Sequence, residues 1–407
     1  MKKISIFLSF LFLILIFNNL TVHSLDNRNL NHSTNEASSG YILTINNGSL
    51  GGLYEESTEV HIFADPKFPL GLIFDKWVGN IETIKDINSS HTTLTMPNSN
   101  ISINATYKQM PVFDMKKEWF EGILFYHCIP ENCKGLIFLF HGGGEKFWFT
   151  HDGGKAKLWP ELHVEKKIFC IDAVSREYGV IALQSHRKLF RREYSLYLPT
   201  VINPDIKNVK KLINEFKSRN LIDDSTAIYG LGFSFGGAFS PKVAFACDFN
   251  ATAIYCMGHK EFPILNPNYD IPTIWFLGED DFYKNVNNRA KFYYTILKNR
   301  GIDAELYENS KSPIYPDRFL RINVINPEFT KEDSENIFNS LKAEGYIDKN
   351  HYLTMNPFIS TEWIDSIPSE YIAYVDGGIS RELYHACAGH NFFNEYNQVL
   401  FDFFEKY

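Results

Sequence analysis

The chain has 407 residues, of which 44% are hydrophobic and 22% are charged. This ordinary globular composition excludes wholesale disorder, collagen-like repeats and coiled coil as the main architecture. At about 150 residues per domain, the length allows two or three domains, or one large domain with attachments. The net charge is −8. Because proteins that bind nucleic acid present a basic surface, we expect no nucleic-acid partner.

The N-terminus carries the pattern of a secretory signal peptide. Lys2 and Lys3 precede an apolar run over residues 4–17, and small residues near Ser24 offer a cleavage site. The run is shorter than the roughly 20 residues of a membrane-spanning helix, which disfavours the alternative of an uncleaved anchor. We therefore expect residues 1–24 to be a signal peptide, no membrane span in the rest of the chain, and a secreted, extracellular protein.

Export would permit disulfide bonds among the six cysteines. Cys128 and Cys133 flank a short turn and could pair across it, or both could be small buried apolar side chains. The cysteines and histidines show no spacing typical of a metal site, so we expect no metal.

Residues 25–40 are polar and lack apolar periodicity, which predicts a disordered linker. From Tyr41 onward, short β runs alternate with clusters of Gly, Asn, Asp and Pro. This pattern predicts a small antiparallel module over residues 41–108, with strands at 41–45, 59–64, 92–96 and 101–107.

The module contains a series of short motifs: Tyr41-Ile-Leu-Thr-Ile, Gly52-x-Tyr54, Val60-x-Ile62-x-Ala64, Phe74-x-x-Trp77-x-Gly79, Thr93-Leu-Thr-Met96-Pro97 and Ala105-x-Tyr107. The series resembles the divergent internalin-type B-repeat of bacterial surface and secreted proteins. The resemblance implies a spacer or adhesion module without catalytic residues, which could contact a cell surface or extracellular matrix and be dispensable for turnover. It also makes Trp77 a core anchor rather than a sugar-stacking residue.

From residue 118 to residue 407, strands alternate with helices. Apolar strands are predicted at 122–128, 135–140, 179–184, 226–231, 251–256, 273–277 and 304–307, and helices at 155–176, 206–219, 236–247 and 288–300. Alternation on this scale predicts an α/β fold with a mostly parallel sheet flanked by helices.

Ser234 lies in the sequence Gly232-Phe-Ser234-Phe-Gly236-Gly237, between the predicted strand 226–231 and the helix that follows. A strand–turn–helix is the context that a G-x-S-x-G nucleophile elbow requires. The flanking glycines allow the strand and helix to approach closely, so the serine oxygen is presented at the rim of the sheet. The alternative is a glycine-rich turn with a structural role alone.

The glycine loop His141-Gly142-Gly143-Gly144 follows the strand 135–140 directly. Its backbone N–H groups, with the N–H of Phe235 after the serine, could hold a developing oxyanion. We therefore predict an oxyanion hole formed by Gly142, Gly143 and Phe235, and a structural role for His141.

A nucleophilic serine needs a histidine as base and a carboxylate that orients it, in the chain order serine, acid, histidine. Gly278-Glu279-Asp280-Asp281 follows the strand 273–277, and we favour Asp281 as the acid over Asp280 and Glu279. We favour His390 as the base over His385, because Gly389 permits a tight loop before a final predicted helix at 394–404.

Together these motifs resemble the α/β-hydrolase superfamily over residues 118–407, and they lie closest to secreted esterases and polymer-ester depolymerases. The resemblance implies an eight-stranded, mostly parallel sheet and an acyl-enzyme mechanism that requires no cofactor. One departure is an insertion at 311–380, which holds a predicted helix at 330–343 and a small hairpin at 346–353. It resembles a cap over the active site; the alternative is a decorative insertion.

Two further segments could shape substrate binding. Phe147 and Trp148 follow the glycine loop, and they could line an acyl site or belong to the core. The basic stretch 186–192 follows the strand 179–184 and could attract an acidic substrate or remain a solvated loop.

The sequence therefore predicts a secreted serine hydrolase of carboxylic esters, with Ser234, Asp281 and His390 as its triad. The substrate would be a small-molecule or polymeric ester. Two alternatives remain: a serine peptidase of the same fold, and a non-catalytic adhesion or binding protein on a hydrolase scaffold.

Overall fold

The computed structural model describes residues 40–143, 145–148, 150–151, 163–185, 203–258 and 263–407. The predicted signal peptide, the linker up to residue 39 and the basic stretch 186–192 lie outside the described residues. Within the described ranges, no helix combines the length and the apolar character that a bilayer crossing requires.

Two small sheets form the N-terminal module. Its strands are β1 (Tyr41–Asn46), β2 (Gly48–Ser49), β3 (Gly52–Tyr54), β4 (Glu59–Ala64), β5 (Leu72–Gly79), β6 (His91–Thr95) and β7 (Ile101–Gln109). The sheet orders are β3-β1-β7-β5 and β2-β4-β6. Trp77 is fully buried between them, and its Nε1–H donates to the Ser89 carbonyl at 2.9 Å. The expectation of a core anchor at Trp77 thus agrees with its position.

One pairing in the module departs from the predicted antiparallel arrangement. β1 and β7 run parallel, with Leu43 opposite Ile101. Both side chains are buried in the apolar cluster that also surrounds Trp77. β1 therefore pairs with β7 because both strands bury apolar side chains in the same cluster, although they are the first and last strands of the module in sequence.

Eight strands form the main sheet. They are β8 (Lys116–Phe120), β9 (Ile123–Cys128), β10 (Gly135–Phe140), β13 (Tyr178–Leu183), β14 (Ala227–Phe233), β15 (Ala251–Tyr255), β16 (Thr273–Gly278) and β17 (Ala304–Asn309), with a separate hairpin of β11 (Glu145–Phe147) and β12 (Thr150–His151). The order across the sheet is β17-β16-β15-β14-β10-β13-β9-β8. Only the β8–β9 and β9–β13 pairings are antiparallel.

Helices cover both faces of the main sheet, as its buried strands require. The helices of the described chain are α1 (Val164–Ser175), α2 (Pro204–Ser218), α3 (Phe235–Cys247), α4 (Lys284–Asn299), α5 (Lys331–Ala343), α6 (Ser380–Ala386) and α7 (Asn397–Phe404). Apolar side chains of α2, α3 and α4 share one core with the sheet, and those of α1 and α7 share the core on the other face. The prediction of a mostly parallel sheet between helices is confirmed.

The predicted element boundaries differ from the observed ones by a few residues. The helix predicted at 288–300 begins earlier, at Lys284, and the final helix begins at Asn397 rather than at residue 394. The possible disulfide between Cys128 and Cys133 is absent, since both thiols are free. The Cys133 Sγ–H instead donates to the Gly135 carbonyl at 3.3 Å.

The insertion between β17 and α6 buries its apolar side chains in a core shared with Ile73 of the module and Ile171 of α1. The predicted capping box opens α5: Thr330 Oγ1 accepts from the Asp333 N–H at 3.2 Å, and the Asp333 carboxylate accepts from the Thr330 N–H at 2.7 Å. A bridge between Ile347 and Leu353 stands where the small hairpin was predicted. Phe358 of this insertion stacks on Tyr384 with ring centroids 3.6 Å apart.

The module is docked on the rest of the chain, which differs from the expectation of a spacer. Phe63 of β4 lies against Tyr315 of the insertion, with ring centroids 3.8 Å apart. The Ser49 hydroxyl donates to Asp317 at 2.7 Å. His91 of β6 lies 3.0 Å from Glu395. These contacts give the module a buried interface.

A cluster of buried ionic side chains extends from this interface. Arg318 lies 2.5 Å from Glu382, and Arg321 contacts both Glu382 and Glu165. All four side chains are at most a tenth exposed. Removal of one member of a buried pair leaves its partner charged without compensation, so the cluster depends on all of its members.

The docked position of His91 predicts an acid-labile interface. Burial lowers the pKa of His91 from 6.5 to about 3, against the opposing effect of Glu395. Between these values the unfolded chain binds a proton that the folded chain excludes, so the free energy of unfolding falls as the pH falls from 6.5 toward 3. Between about pH 7 and pH 5, this group alone should account for a loss of about 2 kcal/mol.

His91→Asn is the matched variant, since asparagine keeps an N–H donor for Glu395 but does not titrate. Urea denaturation of both proteins at the two pH values should show a smaller pH-dependent loss in the variant. The facing groups Glu395, Arg318, His385 and His61 are common to both proteins. Equal losses in the two proteins would contradict this assignment.

Candidate active site

Ser234 lies at a sharp turn between β14 and α3. Its backbone has φ 53° and ψ −117°, a conformation that residues with a Cβ rarely adopt. The turn needs glycine on both sides. A Cβ at Gly232 would lie 2.1 Å from the Gly236 carbonyl oxygen, and a Cβ at Gly236 would lie 1.9 Å from that of Phe140. The sequence therefore folds into the predicted elbow because only glycine permits this backbone contact.

His390 connects Ser234 to Asp281. Its Nε2 lies 2.8 Å from Ser234 Oγ, and its Nδ1 lies 2.7 Å from Asp281 Oδ2. All three residues are less than a tenth exposed. The carboxylate can only accept, so Nδ1 carries a proton and Nε2 is left to accept from the serine hydroxyl.

Asp281 and Asp280 point in different directions. The Asp281 side chain is buried, and its Oδ1 accepts from the Tyr283 N–H at 2.9 Å while Oδ2 faces His390. The Asp280 side chain is half exposed and pairs with Lys311 at 2.6 Å. The structure therefore places Asp281 beside the histidine, and Asp280 at the surface.

The other histidine considered, His385, lies away from the serine. Its Nε2 is 2.9 Å from Glu395, and its Nδ1 accepts from the Arg318 guanidinium. His385 therefore contacts Arg318 and Glu395 rather than Ser234.

Aromatic rings surround the His390 imidazole. Ring centroids of Phe233, Phe282 and Tyr283 lie 5.2, 5.7 and 5.0 Å from its own. Phe282 also contacts Phe358 of the insertion at 5.1 Å. This apolar shell limits water at the ring, which strengthens the hydrogen bonds of the imidazole and restricts its orientation.

The residues predicted for the oxyanion hole lie together. Phe235 is the first residue of α3, and Gly142 and Gly143 follow β10. A Cβ at Gly143 would lie 2.3 Å from Cδ2 of Phe235, so the phenyl ring rests on the glycine backbone. The His141 Nδ1–H donates to the Gly142 carbonyl at 2.9 Å, which agrees with a structural role for His141.

The substrate-binding prediction for Trp148 is corrected by its position. The indole is fully buried and packs edge-to-face on Phe392 at 5.1 Å, with the Lys166 ammonium 4.7 Å from its ring. A side chain buried in this way forms part of the core and lines no open acyl pocket. For Phe147, the structure describes the backbone in β11, and the side chain lies outside the described part of the chain.

Cys256, which follows β15, was not among the residues predicted for the site. Its Sγ–H donates to the Asn391 carbonyl at 3.2 Å, next to His390 in the chain. Burial raises the pKa of the Cys256 thiol well above its usual range, so the group stays neutral beside Asp281. Its position at the end of a parallel strand was the available signal, because Ser234 and Asp281 also follow strands of the parallel sheet.

Cys256, Asp281 and His390 lie close enough to suggest metal ligands. However, Ser234 and Asp281 already occupy the two ring nitrogens of His390. The arrangement suits proton transfer instead: the histidine can take the serine proton, and the carboxylate can stabilise the imidazolium that results.

Comparisons with known proteins give one family and a group of distant structural relatives. Residues 36–111 match the family described as Divergent InlB B-repeat domain. No curated protein sequence matches the chain. Among solved structures, an acylaminoacyl peptidase of Pyrococcus horikoshii shares 17% identity, with 49% of this chain and 36% of that one covered and a TM-score of 0.34.

Two esterases are similar at the same level. A thermostable esterase shares 15% identity over 67% of this chain and 90% of that one, with a TM-score of 0.37. A thermophilic esterase from the Planctomycetes species Thermogutta terrifontis shares 14% identity over 49% of this chain and 83% of that one, with a TM-score of 0.32. These likenesses are too distant to indicate an activity.

The N-terminal module is thus a divergent InlB B-repeat domain, and the remainder of the chain has the α/β-hydrolase fold. The fold assignment rests on the eight-stranded, mostly parallel sheet and on the strand–turn–helix at Ser234. Function has to be argued from the side chains of the site.

The backbone at Ser234 predicts that glycine is more stable there than alanine. Its positive φ costs a residue with a Cβ about 1–3 kcal/mol, and glycine avoids that cost. Ser234→Gly should therefore have a free energy of unfolding about 1 kcal/mol higher than Ser234→Ala, measured by urea denaturation.

Ser218, at the exposed end of α2, provides the matched control. There the backbone is helical, so Ser218→Gly should be less stable than Ser218→Ala, by at most the roughly 0.5–1 kcal/mol of a helix interior. The same order of stability at both positions would contradict the strain at Ser234.

Proposed function

We propose that this chain is a secreted serine hydrolase that cleaves carboxylic esters, small or polymeric, through an acyl-enzyme. The observation that carries the proposal is the pair of hydrogen bonds from His390, to Ser234 Oγ at 2.8 Å and to Asp281 Oδ2 at 2.7 Å. The strained elbow at Ser234 also supports the proposal, because it presents the serine beside the glycine loop.

In the proposed mechanism, Ser234 Oγ attacks the ester carbonyl carbon as His390 Nε2 takes the hydroxyl proton. The negative charge that forms on the carbonyl oxygen is held by backbone N–H groups of Phe235 and the Gly142–Gly143 segment. Collapse of the tetrahedral intermediate breaks the bond to the alcohol, which receives the proton from His390. Water, deprotonated by the same nitrogen, then releases the acyl group and restores the serine.

Asp281 has two functions in this mechanism. It keeps the proton on Nδ1, so that Nε2 faces the serine, and its charge stabilises the imidazolium. The Tyr283 N–H holds its second oxygen, which fixes the plane of the carboxylate. The chemistry needs no cofactor.

Esters are preferred to peptides as substrates because of the small size of the N-terminal module. A dipeptidyl or prolyl peptidase of this fold would usually carry a propeller or a large N-terminal domain, and the module at 41–108 is too small for either. Export is part of the proposal and rests on the signal-peptide pattern at 1–24. The B-repeat domain supports contact with a cell surface or extracellular matrix.

Ser234→Ala should abolish hydrolysis in a panel of chromogenic esters, with a loss of about 10⁴-fold or more in kcat/KM. A fluorophosphonate probe should label the wild type and fail to label the variant. Ser218→Ala, on the exposed face of α2, is the control and should behave as wild type. Activity of a folded Ser234→Ala within tenfold of wild type would overturn the proposal.

The same assay separates the alternatives. Aminoacyl anilides hydrolysed faster than any ester would identify a peptidase. A folded wild type that neither reacts with the probe nor hydrolyses any substrate would identify a binding protein.

The two adjacent carboxylates should differ strongly in their effect on turnover. Asp281→Asn keeps the volume of the side chain but favours the wrong tautomer of His390, so kcat should fall by up to about 10⁴-fold. Asp280→Asn removes a surface pair with Lys311 and should change kcat less than about threefold. Assay of both variants on one ester provides the test, and a larger loss in Asp280→Asn would reverse the assignment.

A further inference from the structure

The loop that carries His390 is closed at its base by two side chains. His385 at the end of α6 precedes the loop, and Glu395 follows it before α7. His385 Nε2 lies 2.9 Å from Glu395 Oε2. This contact joins the two ends of a short segment with His390 at its centre.

The module supplies the second contact to the same carboxylate. His91 Nδ1, on β6, lies 3.0 Å from Glu395 Oε1, and its Nε2 lies 3.2 Å from His61 Nδ1. Glu395 Oε1 therefore accepts from His91, Oε2 lies in close polar contact with His385, and the two histidines come from different parts of the fold. Because the carboxylate can only accept, His91 Nδ1–H donates to Glu395, and His91 Nε2 is left to accept from His61 Nδ1–H.

The ionisation of these groups suits this pattern. Burial would raise the pKa of Glu395, but His385 and His91 hold it well below its usual range. Glu395 is therefore a carboxylate that accepts a hydrogen bond from His91 and lies against the imidazole of His385. The Arg318 guanidinium can only donate, so Nδ1 of His385 accepts and its Nε2 carries the proton toward Glu395.

We propose that His91 is a positioning residue for His390: the B-repeat domain holds Glu395, and Glu395 holds the base of the histidine loop. We name His91, Glu395 and His385 the loop clasp. The proposal rests on the proposed function, since it assigns the module a part in placing the general base. Under this proposal, loss of the module lowers turnover, in contrast to the expectation from the sequence that the module is dispensable.

The remaining contacts of the loop make its position sensitive to the clasp. The Asp280 N–H donates to the Ala388 carbonyl at 3.0 Å, and the Asn391 side chain donates to the Arg381 carbonyl at 3.0 Å. These contacts hold the loop near its tip. Loss of the Glu395 contacts at the base of the loop should therefore tilt the His390 side chain without unfolding the loop. A displacement of about 1 Å in a reacting group can cost about 10²-fold in rate.

The three side chains of the loop clasp also have the spacing of metal ligands. A metal at this place would need the lone pair of His385 Nε2. Because Arg318 donates to Nδ1, the proton is on Nε2 and that lone pair is not offered. The role favoured for both histidines is therefore polar contact with Glu395, a hydrogen bond from His91 and a close approach of His385.

The test compares His91→Ala with His91→Asn in the full chain. His91→Ala removes the donor, and kcat on a small ester should fall by about tenfold with KM unchanged. His91→Asn restores an N–H toward Glu395 and should keep kcat within about threefold of wild type. Hydrogen exchange should rise in residues 386–394 of His91→Ala and remain unchanged in α5.

Two further variants complete the design. Ser49→Ala removes another hydrogen bond of the module interface, to Asp317, without contact with the clasp, so its kcat should stay within about twofold of wild type. If His91→Ala does not fold, Glu395→Gln gives the same information. Its amide replaces one accepting oxygen by a donor and removes the negative charge, so the contacts with the two histidines weaken, and kcat should again fall by about tenfold.

Several results would overturn the proposal. One is a folded His91→Ala with wild-type kcat and wild-type exchange in residues 386–394. Equal loss of kcat in Ser49→Ala would show general weakening of the interface. Stabilisation of the wild type, but not of His91→Ala, by added Zn²⁺ would show a metal site. Failure of the proposed function is distinguishable, because Ser234→Ala would then be as active as wild type while the exchange measurement still reports on the clasp.

Discussion

One close approach between two backbones determines the geometry of the site. Gly236 in the first turn of α3 lies so near the carbonyl of Phe140 that a single methyl group would not fit between them. This approach places the N-terminus of α3 directly on the end of β10. Ser234 and Phe235 therefore meet the glycine loop after β10, and a side chain at position 236 would separate the serine from that loop.

The parallel sheet then brings distant parts of the chain to the same edge. His390 follows Asp281 by 109 residues and Ser234 by 156 residues. Ser234 and Asp281 follow β14 and β16, which run parallel on either side of β15. The long insertion fits between β17 and the histidine loop because it buries its own apolar side chains, together with Ile73 of the module and Ile171 of α1.

The residues that could be predicted from the sequence are those with a local signal. The run Gly135–Phe140 is apolar at every position after its glycine, and its strand has the bounds that the pattern predicts. The glycines at 232 and 236 indicate the elbow at Ser234. The end of the apolar strand before Gly278 indicates that the acid lies in the segment that follows, which includes Asp281. Asp280 could not be told from Asp281 with certainty, because Lys311 pairs with it only in the folded chain.

Other features have no local signal. Trp148 follows a glycine loop and resembles a pocket residue in sequence, yet its indole enters the core against Phe392. His91 and Glu395 are separated by 304 residues, and neither lies in a motif. A spacer and a docked module have the same periodicity, since docking depends on a few polar side chains at the ends of strands and loops.

The charge balance of the module interface explains how so polar a contact can be buried. The four side chains of the ionic cluster, together with the neighbouring Glu395, comprise two guanidiniums and three carboxylates: Arg318, Arg321, Glu165, Glu382 and Glu395. Fully ionised, this set would hold one uncompensated negative charge, which is costly away from water. Burial raises the pKa of Glu382 to about 8, against the opposing effect of Arg318 and Arg321, and this shift reduces the excess negative charge. Glu395 faces two histidines instead of a guanidinium, and His385 and His91 hold its pKa well below its usual range. The same carboxylate therefore joins the B-repeat domain to the loop of His390.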